Sequence, residues 1–123
     1  MFTDETETKL YVRLNKETVK KLIKWEAIEA PSNFTEASED IVDTLFLLEY
    51  KGKKLALYLR KYKYFLDEER WVWGEDPELA IVTDKLKILW NSKNSSQALR
   101  DLYETVTRQA SGFNDLINDL LNE

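Results

Sequence analysis

Residues Lys9 to Asn15 alternate, with Leu10, Val12 and Leu14 on one side and Lys9, Tyr11 and Arg13 on the other. A period of two describes a half-buried strand. Asn15 is placed to cap a following helix, Lys16 to Ala30, with Val19, Leu22, Ile23 and either Trp25 or Ala27 apolar. Pro31-Ser32-Asn33 ends it, because a residue before proline is pushed out of helical backbone. Phe34 to Asp43 is acidic and ambiguous, with Thr35 or Ser38 available to cap a short helix. Thr44 to Tyr50 is dense in Leu, Phe and Tyr. Leu55 to Phe65 then sets Leu55, Leu57 and Leu59 against Ala56, Tyr58, Arg60, Tyr62 and Tyr64. Gly52, between lysines, supplies the positive φ of a tight hairpin turn. The polar Leu66-Asp67-Glu68-Glu69 leads into Arg70-Trp71-Val72-Trp73, closed by Gly74. Residues 44–73 therefore read as a three-stranded antiparallel meander. A competing reading runs one helix through Asp40–Lys51 on Ile41, Leu45 and Leu48, with Gly52 just past its end.

After Gly74 the pattern turns helical. Asp76-Pro77 has the form of an N-cap and a first helical residue, and Leu79, Val82, Leu86, Leu89 and Trp90 follow at helical spacing. Ser95 or Ser96 caps a second helix with the stripe Leu99, Leu102, Tyr103 and Val106, which stops near Gly112. Phe113, Leu116, Ile117, Leu120 and Leu121 make a third. That last helix is about three turns long, too short to stand alone in water, so its stripe must bury against the chain's own sheet or a partner subunit. The expected fold is α+β within one domain, 1–123. A small antiparallel sheet of about four strands (9–15, 44–50, 54–65 and 70–73) carries one inserted helix. Residues 1–74 form the mixed part and 75–123 a segment of about three helices.

Composition removes several chemistries. The 123 residues include no cysteine and no histidine, so disulfides, thiolate nucleophiles, zinc–thiolate sites, imidazole ligands and Ser-His triads are excluded. A non-enzymatic protein is the expectation, with no catalytic residues, cofactor or metal. Glu49-Tyr50-Lys51 resembles the Glu-x-Lys of metal-dependent nucleases, with Asp43 as partner acid, but nothing marks a substrate cleft. The acidic clusters lack the spacing of a calcium loop, and Gly52, Gly74 and Gly112 stand apart, each at an element boundary. The start of the chain is acidic and polar and no apolar run approaches the ~20 residues of a membrane span, so a soluble, cytoplasmic protein is expected.

The net charge of −5 conceals a striping. Residues 51–64 hold Lys51, Lys53, Lys54, Arg60, Lys61 and Lys63 with no acid, whereas Glu26 to Glu49 hold seven acids and no base. Either stripe is a solvated face or a surface that draws a partner of opposite charge. Two candidate surfaces follow. One is acidic: Glu36, Glu39, Asp40, Asp43, Asp67, Glu68 and Glu69. The other mixes rings and cations: Arg60, Lys61, Tyr62, Lys63 and Tyr64 with Trp71 and Trp73. Such an interleaving suits stacking on bases, an edge strand guarded by lysines, or a tryptophan hot spot for a protein.

Leu10-Tyr11-Val12-Arg13-Leu14-Asn15-Lys16-Glu17-Thr18-Val19-Lys20-Lys21-Leu22 resembles the strand and first helix of ribbon-helix-helix DNA-binding proteins. Ser38-Glu39-Asp40-Ile41-Val42-Asp43-Thr44-Leu45 is similar to the start of their second helix. The resemblance covers 9–45 and implies a homodimer whose paired strands enter the major groove. It makes Lys9, Tyr11 and Arg13 the base-facing set. Two functions are thus expected. One is a small binding or inhibitor protein, of the immunity or phage-encoded kind, that occupies a surface of another protein or protein–nucleic-acid complex. The other is a dimeric DNA-binding transcriptional regulator. Neither calls for a membrane.

Overall fold

A computed structural model describes residues 4–35 and 38–122. Among the described residues the fold is α+β: one antiparallel sheet and three helices. In chain order they are α1 (Asp4–Val19), β1 (Glu26–Glu29), a 3₁₀ turn (Ser32–Thr35), β2 (Thr44–Tyr50), β3 (Lys53–Phe65), β4 (Trp71–Val82), β5 (Ile88–Asn91), α2 (Gln97–Ser111) and α3 (Phe113–Leu121). The strands lie in sequence order, each paired with the next.

The meander forms as expected. Tyr50 pairs with Lys53, so the β2–β3 loop is the two residues Lys51 and Gly52, with φ of 49° and 80°. Positive φ at both positions is the turn whose twist matches the flanking strands. The helix reading of 40–51 does not occur. The last two helices also stand where the sequence places them. Ser96 Oγ accepts from Leu99 N–H at 3.2 Å to start α2, and Gly112, at φ 73°, ends it.

Several expectations need correction. Residues 9–15 are not a strand but the middle of α1. Tyr11, Leu14 and Thr18 are buried at helical spacing, Val12 faces out, and Glu5–Lys9 and Arg13–Glu17 pair one turn apart. No helix spans 16–30. The Leu22 N–H reaches the Glu17 carbonyl and the Lys21 N–H reaches Thr18, with Lys21 at φ 61°. That is a glycine-type helix stop made without glycine. The chain then extends into β1, so no helix is inserted after a first strand and the sheet has five strands, not four. The helix expected from Asp76 is instead the second half of β4, followed by β5, and the segment after Gly74 contains two helices rather than three. Pro77 is tolerated because β4 has only β3 beside it there, β5 first pairing at Ala80. Gly74 lies inside β4, not at a boundary.

Alternation along β3 gives the sheet two apolar faces. Leu55 and Leu57, with Phe46, Leu48 and Leu79, meet Tyr11 and Leu14 of α1 and Leu99, Leu102 and Val106 of α2. Ala56 and Tyr58, with Leu45, Ala80 and Val82, are covered by Ile28 of β1 and by Phe34, Val42 and Leu86 from the connecting segments. Trp25, 2% exposed, pins the α1–β1 turn. Its ring Nε1 donates to Thr18 Oγ1 at 3.0 Å, and that hydroxyl donates to the Leu14 carbonyl at 2.7 Å. Gln109 of α2 clamps the same turn, accepting from Trp25 N–H and donating to the Ile23 carbonyl.

Thr18→Val keeps the shape but strands the buried indole N–H. It is expected to lower unfolding free energy by about 1–3 kcal/mol in urea titrations; an unchanged midpoint would remove the hydroxyl from the account of the turn.

Candidate functional site

β3 and β4 pair along their whole lengths, from Lys54↔Val82 to Phe65↔Trp71. β2 accompanies β3 only as far as Leu57, and β5 accompanies β4 only from Ala80. Past these points the hairpin continues as a two-stranded arm. The residues from Tyr58 to Phe65, at about 3.3 Å each, carry it on the order of 25 Å.

A strip of chain buttresses the arm's base. Ile41 N–H donates to the Lys61 carbonyl at 2.8 Å and Lys61 N–H to the Ile41 carbonyl at 2.9 Å, one antiparallel bridge on the open edge of β3. This alignment sets the acids of the strip against the cations of the strand. Arg60 bonds Asp40 at 2.9 Å and also Glu78; Lys61 reaches Asp43 at 3.2 Å and Lys63 reaches Glu39 at 3.3 Å. Four cations of the basic stripe, Lys54, Arg60, Lys61 and Lys63, therefore pair with acids of the acidic stripe within the molecule. Glu36 lies outside the described residues. The nuclease-like set is dispersed: Asp43 holds Lys61 and Glu49 pairs with Lys54. Among the described residues, no group of three or more acids is arranged to hold a metal ion.

Arg60 is the hub of the far face. Its guanidinium also lies 4.6 Å from the centre of the Tyr62 ring, and Tyr58 Oη donates to Glu78 Oε2 at 3.0 Å. The Tyr62 ring crosses the strand to cover Gly74, where a Cβ would come within 2.6 Å of it. Its hydroxyl donates to Asp76, which Arg100 of α2 also approaches. Glycine at 74 thus makes room for the ring that anchors the arm to its base.

The tip differs. Trp71 and Trp73 stand on one side with Lys63 and Phe65, Tyr64 and Val72 on the other, as the pairings Lys63↔Trp73, Tyr64↔Val72 and Phe65↔Trp71 require. The indoles meet edge to face, 5.2 Å apart, and the Lys63 ammonium lies 4.8 Å from the Trp71 ring centre. Yet Trp71 is 40% and Trp73 47% exposed, and Tyr64, Phe65 and Leu66 each exceed half. The turn that carries them is stiff. Asp67 Oδ1 accepts from the N–H groups of Glu69 and Arg70, both at 2.9 Å, and Oδ2 accepts from Arg70 Nε at 2.7 Å. The Glu69 N–H first, then the Arg70 guanidinium, hold the Asp67 carboxyl below the usual carboxylate range. Glu68 and Glu69 point their charges into solvent beside the rings.

Of the expected site residues, the structure gathers Tyr64, Trp71, Trp73, Glu68 and Glu69 at the tip and ties Arg60, Lys61, Tyr62, Glu39, Asp40 and Asp43 into the base. Lys63 belongs to both. The sequence reading omits Phe65, Leu66 and Val72, whose exposure follows only from the length of the hairpin beyond its neighbours. Lys9, Tyr11 and Arg13 share no strand face: Tyr11 is 1% exposed in the core, while Lys9 and Arg13 bind acids of their own helix. No helix among the described residues is long and apolar enough to cross a membrane. Compared with protein-family models, with curated proteins and with solved structures, the chain finds no match in any of the three.

Two outcomes are expected. Arg60→Met leaves the half-buried Glu78 without its cation, held by the Tyr58 hydroxyl alone, and costs about 1–3 kcal/mol, whereas Lys61→Met and Lys63→Met, whose pairs are wetter, stay within about 1 kcal/mol of the parent; equal losses at all three would undo the ranking. Burial first, then the Glu78 carboxylate, pushes the Tyr58 phenol far above its ordinary 10.0, and Tyr50 and Tyr103 are raised as well, chiefly by the bond to Glu17 and by burial respectively. Above pH 10 the unfolded chain sheds these protons and the folded chain keeps them. The three phenols therefore make stability fall as pH climbs past about 10 and leave it untouched below. Urea midpoints between pH 7 and 11 should show that decline, and Tyr58→Phe should flatten it.

Proposed function

We propose that the chain is a non-enzymatic binding protein whose projecting β3–β4 hairpin seats an aromatic tip in an apolar pocket of a protein partner and so occupies that surface. One observation carries this reading: Tyr64, Phe65, Leu66, Trp71, Val72 and Trp73 gather on both faces of the arm's tip, every one at least 40% exposed and none belonging to either core cluster. Scattered exposed apolar residues are ordinary, but a gathered set rich in tryptophan is the composition of interface anchors. The stiff turn lowers the ordering entropy that docking costs. Glu68 and Glu69 at the rim favour a pocket edged with cations. A nucleic-acid partner is disfavoured by charge. Arg60, Lys61 and Lys63 are each neutralised by an acid, and Glu75, Asp76 and Glu78 line the opposing strand, so phosphates would meet little net positive potential.

Affinity capture from cells of origin, with the intact chain and with Trp71→Ala and Trp73→Ala as paired baits, tests the reading. One protein retained by the parent should be lost from both variants, with affinity down roughly a hundredfold or more, while their thermal midpoints stay near the parent's. Retention by both variants would sink the proposal. Duplex DNA binding at low salt that collapses as salt is added would instead favour the regulator reading.

A further inference from the structure

A second exposed apolar surface is carried by α3. α3 buries none of its residues: Phe113, Leu116, Leu120 and Leu121 are 50–77% exposed along one stripe, and the helix carries Asp115 and Asp119 with no cation. Elsewhere, α1 and α2 leave between them a groove of about 590 Å³, lined by Val12, Val19 and Ala98, with Asn15 and Gln97 at its margin and two lysines, Lys16 and Lys20, against one acid, Asp101. Neither lysine has an ion pair among the described residues, and Val12 and Val19 are 42% and 65% exposed. An acidic amphipathic helix without cover and a basic apolar groove without an occupant are complementary in both charge and polarity.

We propose that α3 of one copy docks in the α1–α2 groove of a second copy, reciprocally, to make a two-fold dimer. Reach confines the same contact within one chain to the Val19 end of the groove, since Val19 also borders the hollow lined by Asn114 and Asp115. The groove lies at the start of α2, beside Ala98 and Asp101, whereas α3 springs from Gly112 at its end. At 1.5 Å per residue, Asp101 is about 16 Å and Ala98 about 21 Å from Gly112 along α2, while nine residues of α3 extend only about 13 Å. Within its own chain the start of α3 borders the neighbouring hollow by Lys21 and Lys24, through Asn114 and Asp115, and leaves the Ala98 end of the groove out of reach. Symmetry makes each chain both donor and acceptor, so every contact occurs twice and the assembly closes. Direct α3–α3 pairing is opposed by Asp115 and Asp119 on both partners.

Sedimentation equilibrium of the intact chain, from 1 µM to 500 µM by roughly even steps, reads the oligomeric state. The parent is expected to form a dimer. Lys16→Glu with Lys20→Glu should raise the dimer dissociation constant roughly tenfold or more, and so should Asp115→Lys with Asp119→Lys. Mixing these two variants restores both contacts and should recover a dimer, as should all four changes in one chain. Lys21→Glu with Lys24→Glu should change little. Trp71→Ala with Trp73→Ala should dimerise like the parent, which keeps this proposal separate from the hairpin's role. A parent that stays monomeric, a dimer indifferent to Lys16 and Lys20, one strengthened by Asp115→Lys with Asp119→Lys, or one lost with the tryptophans would each overturn it. Circular dichroism of every variant identifies any that fails to fold, and the four-change chain and the mixture then carry the test.

Discussion

The antiparallel ladder between β3 and β4 is the constraint from which the rest of the molecule follows. Twelve consecutive pairs tie the two strands, more than any other pair of elements shares. Its lower half supplies both faces of the core, Leu55, Leu57 and Leu79 toward the helices and Ala56, Tyr58 and Ala80 away from them. The upper half, past the Ile41 bridge, has no strand beside it and presents its side chains to water. One hydrogen-bonded unit thus serves as foundation at one end and as probe at the other. The change of role falls where β2 and β5 stop.

The central hairpins were legible because Gly52 and the alternation of 54–65 agree with the tertiary outcome, as do Ser96, Gly112 and the α2 stripe. Other segments misled for identifiable reasons. In α1, Leu10, Val12 and Leu14 satisfy a period of two while Tyr11, Leu14 and Thr18 satisfy the period that burial follows. Short apolar sets fit both, and the Glu5–Lys9 spacing was the clue that separates them. The end of α1 carries no glycine or proline, because Lys21 itself takes the left-handed conformation. Around Asp76-Pro77, a good local helix start is overruled. Glu75, Pro77, Leu79 and Ile81 alternate with Asp76, Glu78, Ala80 and Val82, and the pairing with β3 is worth more than a cap. Propensity is a weak prior against twelve paired residues.

The candidate surface was half legible. Interleaved rings and cations in 60–64 and 71–73 mark the arm, but which of them face solvent depends on where its neighbours end. The opposite charges of 39–43 and 60–63 invite a search for partners outside the molecule. In fact the Ile41–Lys61 bridge brings these stretches, some twenty residues apart, side by side. No pattern of local spacing encodes that meeting. Its result is an arm with a charge-balanced base and an apolar, acid-rimmed tip, so recognition rests on shape and ring burial more than on long-range attraction.

The strip bearing Asp40 and Asp43 has one more consequence. An unpaired β edge is a template on which further chains can stack, and here the rim of β3 is closed by a single bridge reinforced with ion pairs rather than by a full strand. Those pairs are partly wet and therefore screened by dissolved electrolyte. Ionic strength becomes a latch on the rim: dilute buffer keeps it shut, and concentrated brine loosens it. Cover of that rim thus depends on counter-charges that added electrolyte weakens.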